Sequence, residues 1–153
     1  MITEIRKARA NDLPVILTLQ KRAFHQEALL YNDFTISPLH QSIEDIIKEF
    51  SEKEIYVACR DNDIIGSVRI LIDENKAFVG KLIVDPEFQN KGIGRKLMLF
   101  LENQFHDIKL FELFTGELSA NNIHLYESLG YKIIETIAEN DTVNLVVMQK
   151  TIS

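Results

Sequence analysis

Cysteine is almost missing from this sequence: Cys59 stands alone among 153 residues. No intrachain disulfide can form, and a reducing compartment is expected. Long apolar runs are missing as well, and none approaches the roughly 20 residues that a helical membrane span needs. The opening stretch, MITEIRKARANDL, lacks the apolar centre of a secretory signal. A soluble cytoplasmic protein with no membrane partner is therefore expected. Basic charge is not in excess either; 17 Lys and Arg against 23 Asp and Glu give a net charge of −6. That balance speaks against a nucleic-acid binder, which needs a positive footprint. There is no repeat, no low-complexity tract and no linker-like shift in composition. Residues 1–153 read as one domain, and a hydrophobic content of 46% suffices for its core.

The residues that are present follow two periodicities. TEIRKAR reads as a first strand. Asp12 then caps a helix with Pro14 in its first turn, where a missing N–H costs little. Val15, Ile16, Leu19, Ala23 and Phe24 form its apolar stripe, and LLYNDFTISP breaks it. Ser42 and Asp45 form a capping box for a second helix with Ile43, Ile46, Ile47 and Phe50 on one face. EIYVACR and IIGSVRILID are strands joined at Asp61-Asn62-Asp63, and AFVGKLIV follows as a longer one. Ile93, Leu97, Phe100, Leu101 and Phe105 give the next helix its core stripe. IKLFELFTG is a fifth strand, and ANNIHLYESLG is a short helix closed by Gly130. YKIIETIA and TVNLVVMQK end the chain as an antiparallel pair. The order β-α-α-β-β-β-α-β-α-β-β predicts an α/β fold: a mixed, mainly antiparallel sheet flanked by helices.

Chemistry concentrates in KLIVDPEFQNKGIGRKLM, Lys81 to Met98. The strand stops at Asp85-Pro86, and the loop Gln89-Asn90-Lys91 leads through Gly92-Ile93-Gly94 into a helix. Backbone N–H groups from about Asn90 to Arg95 are the unpaired donors of a helix start. Glycine lets such a backbone approach an anion closely, and the helix dipole adds about 0.3–1 kcal/mol. Lys81, Lys91, Arg95 and Lys96 gather nearby, so a positive pocket on an acidic body suits a small polyanion. A Walker loop would end in Gly-Lys-Ser/Thr, which is absent. A dinucleotide fingerprint would need glycine where Leu97 stands. What remains is a strand, Gln-x-x-Gly-x-Gly and a helix, a pyrophosphate cradle in form.

VDPEFQNKGIGRKLM resembles the acyl-CoA-binding signature of the GNAT superfamily of N-acyltransferases. SANNIHLYESLGYK resembles the second signature of that family, at the expected separation. The resemblance spans nearly the whole chain and implies an acetyl-CoA-dependent N-acetyltransferase. Acetyl-CoA would be the cosubstrate, its pantetheine arm laid along the backbone of Leu82, Ile83 and Val84. An amide near Val84 would face the acetyl carbonyl and stabilise the oxyanion. Gln89, Asn90, Lys91, Gly92, Ile93, Gly94 and Arg95 would hold the pyrophosphate, with Ser119 and Asn122 nearby. Ser119 stands where relatives often carry asparagine, and it also suits a helix cap.

Tyr126 would be the general acid, its phenol protonated at neutral pH beside the departing sulfur. Many relatives carry a glutamate base on the fifth strand, where this chain has Phe114. Glu112, two residues earlier on the same face, is the candidate base. The segment joining the first two helices, HQEALLYNDFTISP, would shape the acceptor pocket. Glu27, Tyr31, Asn32 and Asp33 make it acidic and aromatic, suited to a cationic amine. The acceptor stays open among polyamines, aminoglycosides, amino acid derivatives and a protein or peptide N-terminus. A homodimer is compatible with the resemblance. His25, His40, His106 and His124 lack ligand spacing, so no metal is expected. Cys59 reads as strand packing. The alternatives are a non-catalytic acyl-CoA sensor, for which Phe114 at the base position speaks, and an unrelated nucleotide-binding module.

Overall fold

The computed structural model describes residues 3–152. Its elements are β1 (Glu4–Lys7), α1 (Leu13–Tyr31), α2 (Ile43–Glu52), β2 (Glu54–Arg60), β3 (Asp63–Asp73), β4 (Lys76–Val84), α3 (Ile93–Gln104), β5 (Leu110–Gly116), α4 (Ala120–Ser128), β6 (Lys132–Ala138) and β7 (Asn144–Thr151). The order is the one expected from the sequence. One seven-stranded sheet runs β1-β2-β3-β4-β5-β7-β6. Only β4 and β5 pair in parallel among these neighbours; the rest are antiparallel.

Strand alternation separates two cores. Tyr56 and Ala58 of β2 join Ile93, Leu97, Met98 and Leu101 of α3 in the larger one. Ile55, Val57 and Cys59, between them in sequence, pack with Leu13 and Ile16 of α1 and Ile46 of α2. Each such fully buried aliphatic side chain contributes about 1.5–3 kcal/mol relative to an exposed one. Val15 and Ile47, assigned to apolar stripes, are instead about half exposed.

Local signals end the helices much as expected. Ser42 and Asp45 exchange both capping-box bonds, at 3.1 and 2.9 Å. After α4, Gly130 takes φ 102°, and the Tyr131 and Gly130 amides donate back to the Tyr126 and Glu127 carbonyls, both at 3.0 Å. That is the paired bonding of a glycine-terminated helix. Asp12 stands at the start of α1 but caps no helical amide of α1. Its carboxylate takes Arg6 at 2.8 Å and the Arg9 amide at 2.7 Å instead. The expected break at LLYNDFTISP comes later, since α1 continues through Tyr31 and stops at Asn32 with φ 51°.

The feature that makes the site is in β4. On β3, Ser67 opposes Ile83 and Arg69 opposes Gly80, so β4 carries one extra residue, and Lys81 sits at φ 47°. Such a bulge bends its strand. The β4–β5 ladder joins Lys76–Val79 to Leu110–Leu113 and goes no further, although β4 runs to Val84 and β5 to Gly116. Beyond Val79 the two parallel strands part.

Candidate active site

Past the parting, Asp85 ends β4 and accepts the Glu87 amide at 3.0 Å. Arg22 on α1 grips the Asp85 carboxylate with both guanidinium nitrogens, at 3.0 and 3.2 Å. Asn90 and Gly92 then both take left-handed backbone angles, φ 62° and 81°. The first amide bonded back into α3 is that of Lys96, to the Gly92 carbonyl at 3.0 Å. Amides from Asn90 to Arg95 have no acceptor among the described residues. This is a concave row of donors at a helix N-terminus, suited to an anion. Lys91 lies exposed over the Phe88 ring at 5.7 Å, and Arg95 reaches Ser128 Oγ at 3.0 Å. The two glycines serve different ends. A Cβ on Gly92 would meet open space, whereas one on Gly94 would lie 3.2 Å from Leu125 Cδ2. Gly92 supplies the turn, and Gly94 the close approach of α3 to α4.

Leu82, Ile83 and Val84 border the parted edge; Leu82 and Val84 pack against the larger core, and Ile83 is buried. Gln89 Nε2 donates to Gln26 Oε1 at 3.1 Å and reaches the Val84 carbonyl at 3.4 Å. After β5, the loop into α4 closes on α1. Ser119 Oγ donates to Glu27 at 2.6 Å, and the Leu118 amide donates to the Tyr31 hydroxyl at 2.8 Å. Tyr126 is buried against Tyr131, ring centroids 6.0 Å apart. Burial, and then the Glu27 carboxylate, push its phenol well above the ordinary range. The proton stays on, and no hydrogen bond among the described residues claims the hydroxyl.

On the face covered by α1 and α2, a cavity of about 630 Å³ lies between the Thr35–Gln41 segment, α2 and Lys81. A smaller space of about 160 Å³ shares Glu49, Lys53 and Lys81 with it. The smaller one is walled by Phe78, Gly80 and Phe114, where β4 and β5 separate. Among the described residues, no group of three or more His, Cys, Asp or Glu is placed to hold a metal, and no helix is long and apolar enough to cross a membrane.

The model of the acetyltransferase (GNAT) domain matches residues 51–133, more than half of the sequence. The chain belongs to the GNAT acetyltransferases. Among its relatives is the UPF0157 protein YqkA of Bacillus subtilis (strain 168), 25% identical over 137 residues. The match takes in 90% of this GNAT chain but only 39% of YqkA. Spermidine N(1)-acetyltransferase of Thermoplasma acidophilum is 24% identical over 148 residues, covering 89% of this chain and 92% of that one. The crystal structure of the PaiA N-acetyltransferase of Thermoplasma acidophilum in complex with coenzyme A superposes with a TM-score of 0.85. It is 21% identical, over 99% of this chain and 100% of that one.

Within this GNAT domain the cradle residues Gln89 to Arg95 fall together, with Ser119 and Tyr126 on the neighbouring elements. Asn122 lies half-buried in the first turns of α4. Ser119 does not cap α4 with its side chain; its hydroxyl is committed to Glu27. Lys81 does not join the cradle, because the bulge turns it toward Glu49 on the other face. Glu27 and Tyr31 belong to α1 rather than to a loop, and meet Ser119 and Leu118. Asp33 is spent on Thr35 and Thr142, both at 2.5 Å, and Asn32 is the helix stop. None of these four lines the large cavity. Glu112 does share a face with Phe114, yet it is buried and held by Lys76 at 3.0 Å and Gln149 at 2.8 Å. Burial raises its pKa, but those two partners outweigh it and hold the carboxyl below its usual value. A carboxylate so engaged is a poor proton acceptor. The residues missed by sequence reasoning are Arg69 of β3, Glu49 of α2 and Lys53 at the end of α2, which meet around Lys81.

Proposed function

We propose that this chain transfers an acetyl group from acetyl-CoA to a primary amine bound beside it. The observation that carries the reading is the parting of β4 and β5 between the unpaired amides of the α3 start and the protonated Tyr126. Asn90 to Arg95 would hold the pyrophosphate, and the free edge of Leu82–Val84 would pair with the pantetheine amides. The amine nitrogen then forms a C–N bond with the acetyl carbon while the C–S bond breaks. Unpaired β4 amides face the developing oxyanion, and Tyr126 gives its proton to the leaving thiolate.

An alkylammonium of pKa near 10.4 lies about 4 kcal/mol from its reactive form at neutral pH. We assign the acceptance of that proton, directly or through water, to Glu27. Glu27 takes a single hydrogen bond, on one oxygen, from Ser119 beside the start of α4, whereas Glu112 is held by both Lys76 and Gln149. The likeness to the spermidine acetyltransferase supports the transfer to nitrogen without naming the acceptor. A second reading, an acyl-CoA sensor, draws on Phe114 at the usual base position and on the occupied Glu112.

The test is release of CoA thiol from acetyl-CoA across amines, amino acids, aminoglycosides and N-terminal peptides. Turnover that falls about 100-fold in Tyr126→Phe, with acetyl-CoA affinity unchanged, is the expected result. Tight acetyl-CoA binding with no turnover on any acceptor would replace the transferase by the sensor.

A further inference from the structure

The acceptor side of the site carries a charge pattern that the acidic look of the α1–α2 segment conceals. Glu49 on α2 is shared by three cations. Arg69 Nη1 reaches its Oε2 at 2.9 Å, Lys81 Nζ its Oε1 at 2.7 Å, and Lys53 Nζ lies 3.6 Å from Oε2. The Gln41 amide donates to the same carboxylate. Arg69 is 2% exposed, and its other nitrogen is fixed by Gln20 Oε1 at 2.5 Å. One negative charge thus faces three positive ones in a half-enclosed space, an excess of two.

The excess sits at the inner end of the cavity, toward Gly80 and Phe114, where the thioester would arrive. At the outer rim the charges are mixed: Asp45 and Glu52 stand against Lys48. Burial depresses both Lys81 and Arg69, and in Lys81 the neighbouring Arg69 and Lys53 depress it further while Glu49 opposes. Cations gathered without enough counter-charge are costly to hold in a low-dielectric site. An anionic group on a ligand would complete the set. Beside them, Phe114 is 51% and Leu71 37% exposed, an apolar wall within the same space.

We propose that the acceptor is a small aminocarboxylate with an apolar body, its carboxylate held by Lys53 and Lys81 with the buried charge of Arg69 behind them, and its amine turned to the thioester. This rests on the transferase reading above and names the substrate class of that site. The class is that of apolar amino acids and their derivatives with a free carboxylate. A polyamine, positive along its length, would meet repulsion at the inner end.

The test compares leucine, methionine and phenylalanine with their carboxamides, and with spermidine. Isothermal titration is made in the presence of CoA, and thiol release is followed with acetyl-CoA. Each carboxylate is expected to bind about tenfold or more tightly than its carboxamide, as a charge-assisted hydrogen bond would give. Lys53→Gln should remove much of that ratio, and Lys53→Arg should retain it, with acetyl-CoA affinity unchanged in both. Equal affinity for carboxylates and carboxamides, no saturable binding of any carboxylate, or preference for spermidine would overturn the proposal. A carboxylate preference without turnover supports this cavity reading while removing the transferase one, so the two fail separately.

Discussion

Replacing Glu49 by glutamine keeps the shape of the side chain and removes the one charge that three cations share. Arg69 cannot move away, because it is buried and bonded to Gln20, and Lys81 is set by the bulge. Removing one partner of a buried ion pair costs roughly 3–5 kcal/mol. Here the Glu49 side chain is 16% exposed and some water reaches the group, so about 2–4 kcal/mol is expected. For a domain of this size each kcal/mol lowers Tm by about 2–4 °C, giving a fall of about 5–15 °C at pH 7. The pH dependence has a definite sign. The Lys81 and Arg69 partners outweigh burial and hold Glu49 at about 2 instead of 4.5, so its contribution is complete above the ordinary value. It is lost as pH falls from there toward 2. Thermal melts followed by circular dichroism should therefore show wild type and Glu49→Gln far apart at pH 7 and converging near pH 2. Adding Lys81→Met to Glu49→Gln should recover part of the loss, since one uncompensated cation goes. A difference below about 2 °C at pH 7, or one that does not change with pH, would refute the charge-sharing account.

Substitutions at five other positions have expected outcomes. A Cβ on Gly116 would fall 2.1 Å from the Tyr31 hydroxyl, so Gly116→Ala should cost about 2 kcal/mol in urea unfolding, with partial relief when Tyr31→Leu is added. Gly92→Ala, forced to φ 81° in open space, should lose roughly 1 kcal/mol; Gly94→Asp should lose melting temperature together with coenzyme binding, because its carboxylate is driven against Leu125. Glu27→Gln should lower kcat by about tenfold or more near neutral pH, whereas Glu112→Gln should leave kcat largely in place and weaken the fold by removing the partner of Lys76 and Gln149.

What was legible in the sequence was what neighbours in sequence decide. Ser42 with Asp45, Gly130 after LYESL, and the alternation of EIYVACR each carry their reason within a few residues. The α1 terminus is not legible in the sequence, because nothing local prolongs a helix through Leu29-Leu30-Tyr31. The hydroxyl of Tyr31 is met by the Leu118 amide, 87 residues on. Glu112 was put on the right face by period two, but Lys76 and Gln149, which occupy it, come from neighbouring strands. Glu49 has no local mark in the sequence. Its surroundings come from β3 and β4, and no periodicity within α2 reports them. The bulge is the clearest case. KLIV reads as unbroken strand, and only the pairing of Ser67 and Arg69 across from it reveals the additional residue.

That additional residue resets the rhythm of β4. Before it Ala77 and Val79 enter the larger core, and after it Leu82 and Val84 do. Deleting Lys81 would restore an unbroken alternation on β4 and remove the bend that lies where the strand leaves β5. The seat of the cation beside Glu49 would go in the same event. The edge proposed for the coenzyme and the cation proposed for the acceptor thus both depend on one inserted residue.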